Sequence, residues 1–151
     1  HFSDPSGVRL RSWMGVTDDE FYAARRIAIV PMGFCFPGHD AKGGDRPPRR
    51  ECADAWHARL FALMPEVELV LAIGLYARRG PLGGLAAGGL TETVARWRLP
   101  HTSSRVPGGA NVLPLPHPSW RNNAWIKANP WFDAELLPEL RVRVRRLIDQ
   151  G

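Results

Sequence analysis

Three short apolar runs recur along the chain, and each has the length of a single β-strand. They occupy residues 27–30, 69–73 and 112–115. Apolar runs without polar alternation are typical of strands that are buried on both faces, as in parallel sheets. Segments with helical spacing lie between the runs. The pattern therefore predicts an α/β fold, a three-layer αβα sandwich with a parallel central sheet.

The segments between these runs carry helix start and stop signals. Residues 6–14 are predicted to form a helix that Ser6 caps and Gly15 ends. Thr17 and the acidic residues after it are typical of a capping box and predict a second short helix. Residues 51–64 are predicted to form a third helix, with an apolar face made of Ala53, Trp56, Leu60 and Leu63. Further helices are predicted around Tyr76, from Thr91 to Trp97, around Trp125 and Ile126, and along a closing amphipathic segment marked by Leu136, Leu137, Leu140, Val144 and Leu147.

The last apolar run leads into the stretch that most resembles a functional site. Pro114 and Pro116 remove backbone donors and so end strand pairing, which puts His117 at the carboxyl end of a strand. Ligands bind at that edge in open α/β sheets. Polar residues suited to phosphate and base edges follow, namely Ser119, Arg121, Asn122 and Asn123. The alternative is an ordinary strand-to-helix connection in which Ser or Asn is the cap.

Composition narrows the class of protein further. A chain of 151 residues with 44% hydrophobic content can bury one core, so a single domain is expected. The longest apolar run, residues 67–77, includes Glu68 and is much shorter than the ~20 residues of a membrane span. We therefore expect a soluble, cytoplasmic protein with no membrane partner, and a monomer. A net charge of +5 that comes largely from arginine predicts an anionic partner, and nucleic acid leads the candidates.

Three stretches together resemble the uracil-DNA glycosylase superfamily. The run His117-Pro118-Ser119, followed by Arg121-Asn122, is similar to the second catalytic motif of its single-strand-selective branch. Phe2 with Gly7 and Leu10 resembles a segment of the iron–sulfur branch. Cys35, the run Arg46-Pro47-Pro48 and Cys52 resemble the cysteine pair of that same branch. The resemblance implies a uracil-DNA glycosylase-like fold and spans nearly the whole chain.

The resemblance also implies roles for individual residues. His117 would hydrogen-bond the oxygen of the departing base, and Phe2 would stack on a base flipped out of DNA. Ser119 would contact phosphate, while Trp120 or Arg121 would fill the gap that the flipped nucleotide leaves. Basic residues of the long loop after residue 30 would follow the phosphate backbone, or would simply be solvated; they are Lys42, Arg46, Arg49 and Arg50.

One position departs from the motif of the iron–sulfur branch. Pro31 stands where those relatives carry an asparagine that reads the edge of uracil, and proline offers no donor. The backbone of Met32 or Gly33, or the side chain of Asn122, would have to substitute as the substrate-binding group. Recognition of several deaminated bases is therefore an alternative to strict uracil specificity.

Three interpretations of the two cysteines are possible. By resemblance, Cys35 and Cys52 supply two of four ligands to a 4Fe-4S cluster, and the other two lie in an amino-terminal segment expected ahead of His1. That segment would also hold the first strand and the loop that positions water. A zinc site built from Cys35, His39, Cys52 and His57 is the second reading, and free thiols without metal are the third.

Two functions from different classes follow. The first is a DNA glycosylase that acts on single- or double-stranded DNA during base excision repair. The second is a non-catalytic, DNA-binding or damage-sensing member of the same superfamily. The 151-residue chain is expected to be an amino-terminally truncated member that is itself inactive, because the water-positioning loop would be missing.

Overall fold

The computed structural model describes residues 4–79, 88–103 and 106–150. The chain divides into two compact units, one made of His1–Val30 with His117–Gly151 and the other of Pro31–Pro116. Whether these units form the single domain predicted from length stays a prediction. Phe2 lies outside the described residues.

The first unit is helical. Its helices are α1 (Pro5–Met14), α2 (Asp18–Phe21), α6 (Asn123–Ala128) and α7 (Leu137–Gln150), with a 3₁₀ turn at Trp120–Asn122 and a π-helical turn at Phe132–Leu136. Helices α1 and α7 pack against each other. The predicted apolar face of the closing helix is buried at Leu136, Leu137, Leu140 and Val144. Its last member differs from the prediction, because Ile148 is buried and Leu147 is only half-buried. The ring of Trp13 meets the ring of Phe132 edge to face, with centroids 5.0 Å apart.

An ion pair joins α2 to α7. Thr17 and Glu20 form the predicted capping box at the start of α2. Both carboxylate oxygens of Glu20 then accept from Arg145, at 2.6 and 3.1 Å. Hydrogen bonds from Arg145, and then from the Thr17 backbone, lower the pKa of Glu20 to about 2. The pair therefore stabilises the fold above the ordinary carboxyl pKa of 4.5 and loses that effect as the pH falls towards 2.

The second unit contains a parallel pair of strands. It holds α3 (Arg50–Ala62), β1 (Leu69–Ile73), α4 (Gly74–Arg79), α5 (Leu90–Ala95) and β2 (Asn111–Leu115). Strands β1 and β2 run parallel, in a register that pairs Leu69 with Asn111 and Ile73 with Leu115. Apolar side chains from the strands, the neighbouring helices and the connecting segments pack into one core. Its buried residues include Phe61, Val70, Ala72, Ala77, Val106, Ala110 and Val112. The α/β class and the parallel sheet are confirmed.

The strand predicted at residues 27–30 is wrong. The segment is not paired with a strand, and Ile29 is 42% exposed. Its amino-terminal end hydrogen-bonds locally instead, since Arg26 and Ile27 both donate to the carbonyl of Ala23. An apolar run becomes a strand only where a neighbour accepts its ladder bonds, and the described part of the chain supplies none here.

The predicted face of α3 is also wrong. Trp56 is 51% exposed and Leu63 is 79% exposed, whereas Ala53, His57 and Phe61 are buried. The buried face follows an i, i+4, i+8 spacing from Ala53, so the helix is rotated from the predicted orientation. His57 is drawn inwards because its Nε2 atom bonds the carbonyl of Pro31 at 2.9 Å.

Several predicted helix boundaries need correction. Asp4, and not Ser6, caps α1 by accepting from the backbone of Gly7 at 3.2 Å. Thr91 lies inside α5 because that helix starts one residue earlier, with Gly89 as its cap. The helix ends at Ala95 and continues as a 3₁₀ turn at Arg96–Arg98. A further 3₁₀ turn occupies Pro107–Gly109, just ahead of β2.

Within the described ranges, no helix combines the length and the apolar character that crossing a bilayer would require.

Gly15 is expected to be required at the end of α1. Its φ of 68° is left-handed, and a Cβ there would meet Cγ of Arg141 at 3.0 Å. Gly15→Ala should therefore lower the free energy of unfolding by about 1–2 kcal/mol, measured by urea denaturation. Gly89→Ala is the control, because Gly89 has a φ of −66° and open space around it. Equal losses in the two variants would contradict the role given to Gly15.

Candidate active site

His117 sits in a turn that is closed by its own neighbours. It follows β2 by two positions and begins the second segment of the first unit. The backbone N–H of Ser119 donates to Nδ1 of His117 at 3.2 Å. The side-chain amide of Asn122 donates to the backbone carbonyl of His117 at 2.7 Å. The imidazole and its backbone are thus each held by one hydrogen bond from the same turn.

The bond from Ser119 decides where the imidazole carries its proton. A backbone N–H is only a donor, so Nδ1 of His117 must accept with its lone pair. In a neutral imidazole the proton then resides on Nε2. The turn therefore presents His117 as a neutral ring whose remaining polar group is an Nε2–H donor.

The surroundings of His117 favour this neutral form. Solvent reaches the residue, yet partial burial of the ring lowers the pKa of His117 below its ordinary value of 6.5. The charge of Arg121 lowers this pKa as well, and the charge of Asp4 opposes both effects. At neutral pH the imidazole is accordingly uncharged.

Arg9 braces the same turn from α1. Its Nη1 atom donates to the carbonyl of Ser119 at 3.3 Å and to Oδ1 of Asn123 at 2.7 Å. Sequence analysis missed this residue. Arg9 is separated from its partners by more than a hundred positions, and no local motif in α1 signals a contact with the histidine turn.

The residues predicted to enter DNA are exposed at the end of the turn. Trp120 is 74% exposed, and the guanidinium of Arg121 lies over its ring, 5.9 Å from the centroid. Such an arrangement gives a flat apolar surface beside a positive charge, as base stacking and phosphate contact require. Ser119 is half-buried, and its backbone, bonded at both N–H and carbonyl, is fixed within the turn.

The second unit carries the other predicted substrate-binding residues. Met32 and Gly33 follow Pro31, whose carbonyl is held by buried His57. The rings of Phe34 and Phe61 meet the imidazole of His57 edge to face, with centroids 5.9 and 6.2 Å away. Gly33 packs closely on Pro48, whose Cβ a side chain at Gly33 would approach within 3.2 Å. His57 thus fixes the backbone just ahead of Met32.

Cys35 and Cys52 lie together in the second unit, with their Sγ atoms 3.9 Å apart. A hydrogen bond and the charge of Cys52 raise the pKa of the Cys35 thiol. Arg46 and Arg49 are both exposed in the same unit. The cysteine pair can offer two thiolate ligands, the donor type that zinc and iron–sulfur centres share.

The spacing of the thiols allows a test of fit. Two thiolates bound to one tetrahedral ion at ~2.3 Å lie about 3.8 Å apart, close to the spacing seen here. In a four-iron cluster each cysteine binds a different iron, so the two sulfurs would have to separate.

The two histidines of the predicted zinc site have other partners. Nδ1 of His39 lies 3.2 Å from Asp45, and His57 bonds Pro31. Among the described residues no cluster of three or more His, Cys, Asp or Glu side chains is assembled for a metal ion. The cysteine pair is therefore the part of the predicted metal site that the structure brings together.

The fold and the site together define an α/β protein with a neutral histidine donor in a turn that also exposes an aromatic ring and a guanidinium. Comparison with known families agrees, because the model of the uracil DNA glycosylase superfamily matches residues 1–141. The chain belongs to this superfamily. Its members are in general hydrolytic glycosylases that act on DNA, and membership suggests the same activity here. The resemblance to the superfamily is confirmed, and the assignment to a branch stays a prediction.

His117 is expected to titrate below pH 6.5, and NMR of the imidazole nitrogens should show the Nε2–H tautomer. Because the unfolded chain takes up this proton at a higher pH than the folded one, the free energy of unfolding should fall as the pH drops below about 6.5. Arg121→Ala should raise the pKa of His117, and Asp4→Asn, which keeps a helix cap, should lower it. Titration of His117 above pH 6.5, or an Nδ1–H tautomer, would contradict this account.

Proposed function

We propose that the protein is a DNA glycosylase that removes uracil, or a related deaminated base, by hydrolysis of the N-glycosidic bond. The observation that carries the proposal is the turn that holds His117 as a neutral Nε2–H donor. The superfamily match supplies the reaction class. This activity would place the protein in base excision repair.

His117 would act on the charge that develops as the base leaves. Cleavage of the glycosidic bond puts negative charge on the base and positive charge on the sugar. A donor aimed at the base oxygen bonds that oxygen more strongly as the charge grows, and so stabilises the transition state more than the bound substrate. A neutral ring can serve here because its N–H is already oriented by the bond from Ser119.

The remaining residues of the turn would hold the DNA. Chemistry on a paired base is sterically blocked, so the target nucleotide must be extruded from the duplex or offered by a single strand. Trp120 and Arg121 are exposed as a wedge and a phosphate contact require. Phe2 would stack on the extruded base. Asn122 is committed to the His117 carbonyl through its amide nitrogen, which leaves its side-chain oxygen for the substrate.

Base recognition would rely on backbone groups of the second unit. The carbonyl of Pro31 is hydrogen-bonded to His57. The N–H of Met32 belongs to the same trans peptide group and therefore points in the opposite direction, away from His57. That N–H, or the N–H of Gly33, would replace the missing asparagine as a donor to the base. Because a backbone donor meets any base with a carbonyl at the matching position, uracil and other deaminated bases would both be accepted.

Pro31 also favours a second candidate function. A protein that binds damaged DNA without cutting it needs no complete set of base-reading groups, and proline removes one of them. The two functions differ in one observable. The glycosylase releases free base from uracil-containing DNA, whereas the non-catalytic protein binds such DNA and releases none.

The cysteine pair would hold a metal centre in the second unit. The resemblance to the iron–sulfur branch favours a 4Fe-4S cluster completed by two further ligands, while the thiol spacing suits a single zinc ion. When bound, either group would have a structural role. It would link Cys35 to Cys52 on α3, close to the basic loop residues Arg46 and Arg49. The exposed cations of that loop would then meet the DNA backbone.

His117→Ala is expected to lower uracil excision by the full-length protein by roughly 10²–10³-fold, because one preorganised donor to a developing anion is lost. Binding to the same DNA should stay nearly unchanged. Single-turnover release of uracil and fluorescence anisotropy measure the two quantities separately.

Two further variants sharpen this experiment. His117→Gln keeps an N–H donor and should retain more activity than His117→Ala. Arg121→Ala should weaken DNA binding and reduce its dependence on salt, because a phosphate or wedge contact is lost. Full activity of His117→Ala would refute the proposed chemistry. Binding of uracil-containing DNA with no base release by the unaltered protein would favour the non-catalytic function.

Metal analysis is expected to find metal bound to Cys35 and Cys52 in full-length protein that has been purified without oxygen. Iron with acid-labile sulfide and a brown colour would indicate the cluster, and stoichiometric zinc would indicate the single ion. Cys35→Ser and Cys52→Ser should each reduce the metal content. His39→Ala is a control that only the Cys₂His₂ zinc site predicts to lose metal. Unchanged metal content in both cysteine variants would exclude the pair as ligands.

A further inference from the structure

A cleft on the first unit opens beside the histidine turn. It has a volume of about 440 Å³, within the range of ~300–1,000 Å³ that is typical of ligand sites. The side chains that line it come from α1, from α6 and from the π-helical turn after α6, and they are Arg9, Trp13, Asn123, Ile126, Lys127 and Asp133. All belong to the same unit as His117.

The cleft carries two positive charges, those of Arg9 and Lys127. Arg9 donates hydrogen bonds to two neutral acceptors, the Ser119 carbonyl and the Asn123 side chain. Within the described residues neither Arg9 nor Lys127 forms an ion pair. Arg11, two positions further along α1, differs because it pairs with Asp18 at 2.7 Å. Two unneutralised cations on one concave surface attract an anion, and arginine suits phosphate in particular.

Two apolar side chains, Trp13 and Ile126, contribute to the lining of the cleft. Trp13 is 5% exposed and is anchored against Phe132, and Ile126 is half-buried on α6. Apolar side chains next to cations match the two parts of a nucleotide, because the sugar and base prefer the former and the phosphate prefers the latter. Among the described residues, Asp133 is the carboxylate that lines the cleft. Its charge repels phosphate and so limits affinity.

Arg9 links the cleft to the proposed active site. The same guanidinium that lines the cleft holds the carbonyl of Ser119, two residues after His117. A DNA strand whose target nucleotide lies at His117 would therefore reach this cleft with a nucleotide close to the target. We propose that the cleft binds a nucleotide that flanks the excised one, with its phosphate at Arg9 and Lys127. This inference rests on the proposed function, because it takes His117 as the place of the target base.

Lys127 and Asp133 allow the test, since Arg9 also braces the turn and its loss would disturb both sites. Affinity is measured for the full-length protein with uracil-containing single strands that are lengthened one nucleotide at a time on the 5′ or the 3′ side. The unaltered protein should gain affinity at one added nucleotide on one side. Lys127→Gln should lose that gain, with binding weakened roughly 3–10-fold and the slope of log K against log salt reduced by about 0.7. Asp133→Asn should enlarge the gain, because a repelling charge is removed.

Arg146→Gln is the matched control, because Arg146 is exposed on α7, does not line the cleft and carries the same charge as Lys127. It should leave the length dependence unchanged. Equal losses in Lys127→Gln and Arg146→Gln would reduce the effect to net charge and overturn the inference. Lys127→Gln binding every length like the unaltered protein would overturn it too, even if excision through His117 is established. If no base is released while the length dependence still requires Lys127, the glycosylase proposal fails and the strand-binding cleft stands.

Discussion

The hydrogen bond from the Ser119 backbone to Nδ1 of His117 is the constraint on which the site depends. It fixes the tautomer, and through the tautomer it fixes which nitrogen can donate to a ligand. The two prolines on either side of His117 narrow the backbone conformations available, and Asn122 holds the His117 carbonyl. A donor that is oriented before substrate arrives has no reorganisation to undergo during the reaction, which is the condition for effective stabilisation of a transition state.

Helix α1 supports this turn by electrostatic and geometric means. Asp4 caps the helix, and the same carboxylate raises the pKa of His117 against the lowering by burial and by Arg121. Arg9, on the second turn of α1, then holds Ser119 and Asn123. Gly15 ends the helix, and α1 packs on α7, so the position of Arg9 is set by contacts remote from the site. The histidine turn is local in sequence, but its orientation depends on a helix from the other end of the chain.

The parts of the structure that sequence predicts well are those whose cause is local. Strand β1 is a continuous apolar run, β2 contains one at residues 112–115, and the capping box of α2 lies within four residues. The histidine turn is equally local, since every bond inside it spans five residues or fewer. The strand predicted at residues 27–30 was wrong because a strand also requires a pairing partner, which an apolar run does not specify.

Arg9 and His57 show why the rest of the site was not predictable. Arg9 acts across the length of the chain, and its position on α1 looks like that of any solvated arginine. Trp56 was predicted to lie on the buried face of α3, but His57 lies there instead. The carbonyl of Pro31 is available to form a hydrogen bond with the buried His57 ring. Burial of a polar side chain is favourable only where a partner exists, and the partner is set by tertiary structure. Helical periodicity weighs apolar character alone and therefore assigns such a residue to solvent.

Charge distribution gives a sharper indication of partners than net charge does. A value of +5 is shared by many proteins that bind no nucleic acid. In the first unit, Arg11 forms an ion pair with Asp18, and Arg145 forms one with Glu20. These pairs link helices of the unit to one another. Arg9 and Lys127 have no such pairing among the described residues, and they line a cleft that adjoins the histidine turn. A cation that is held in place without being neutralised keeps its attraction for an external anion, so its placement, more than the total charge, indicates where a DNA strand would run.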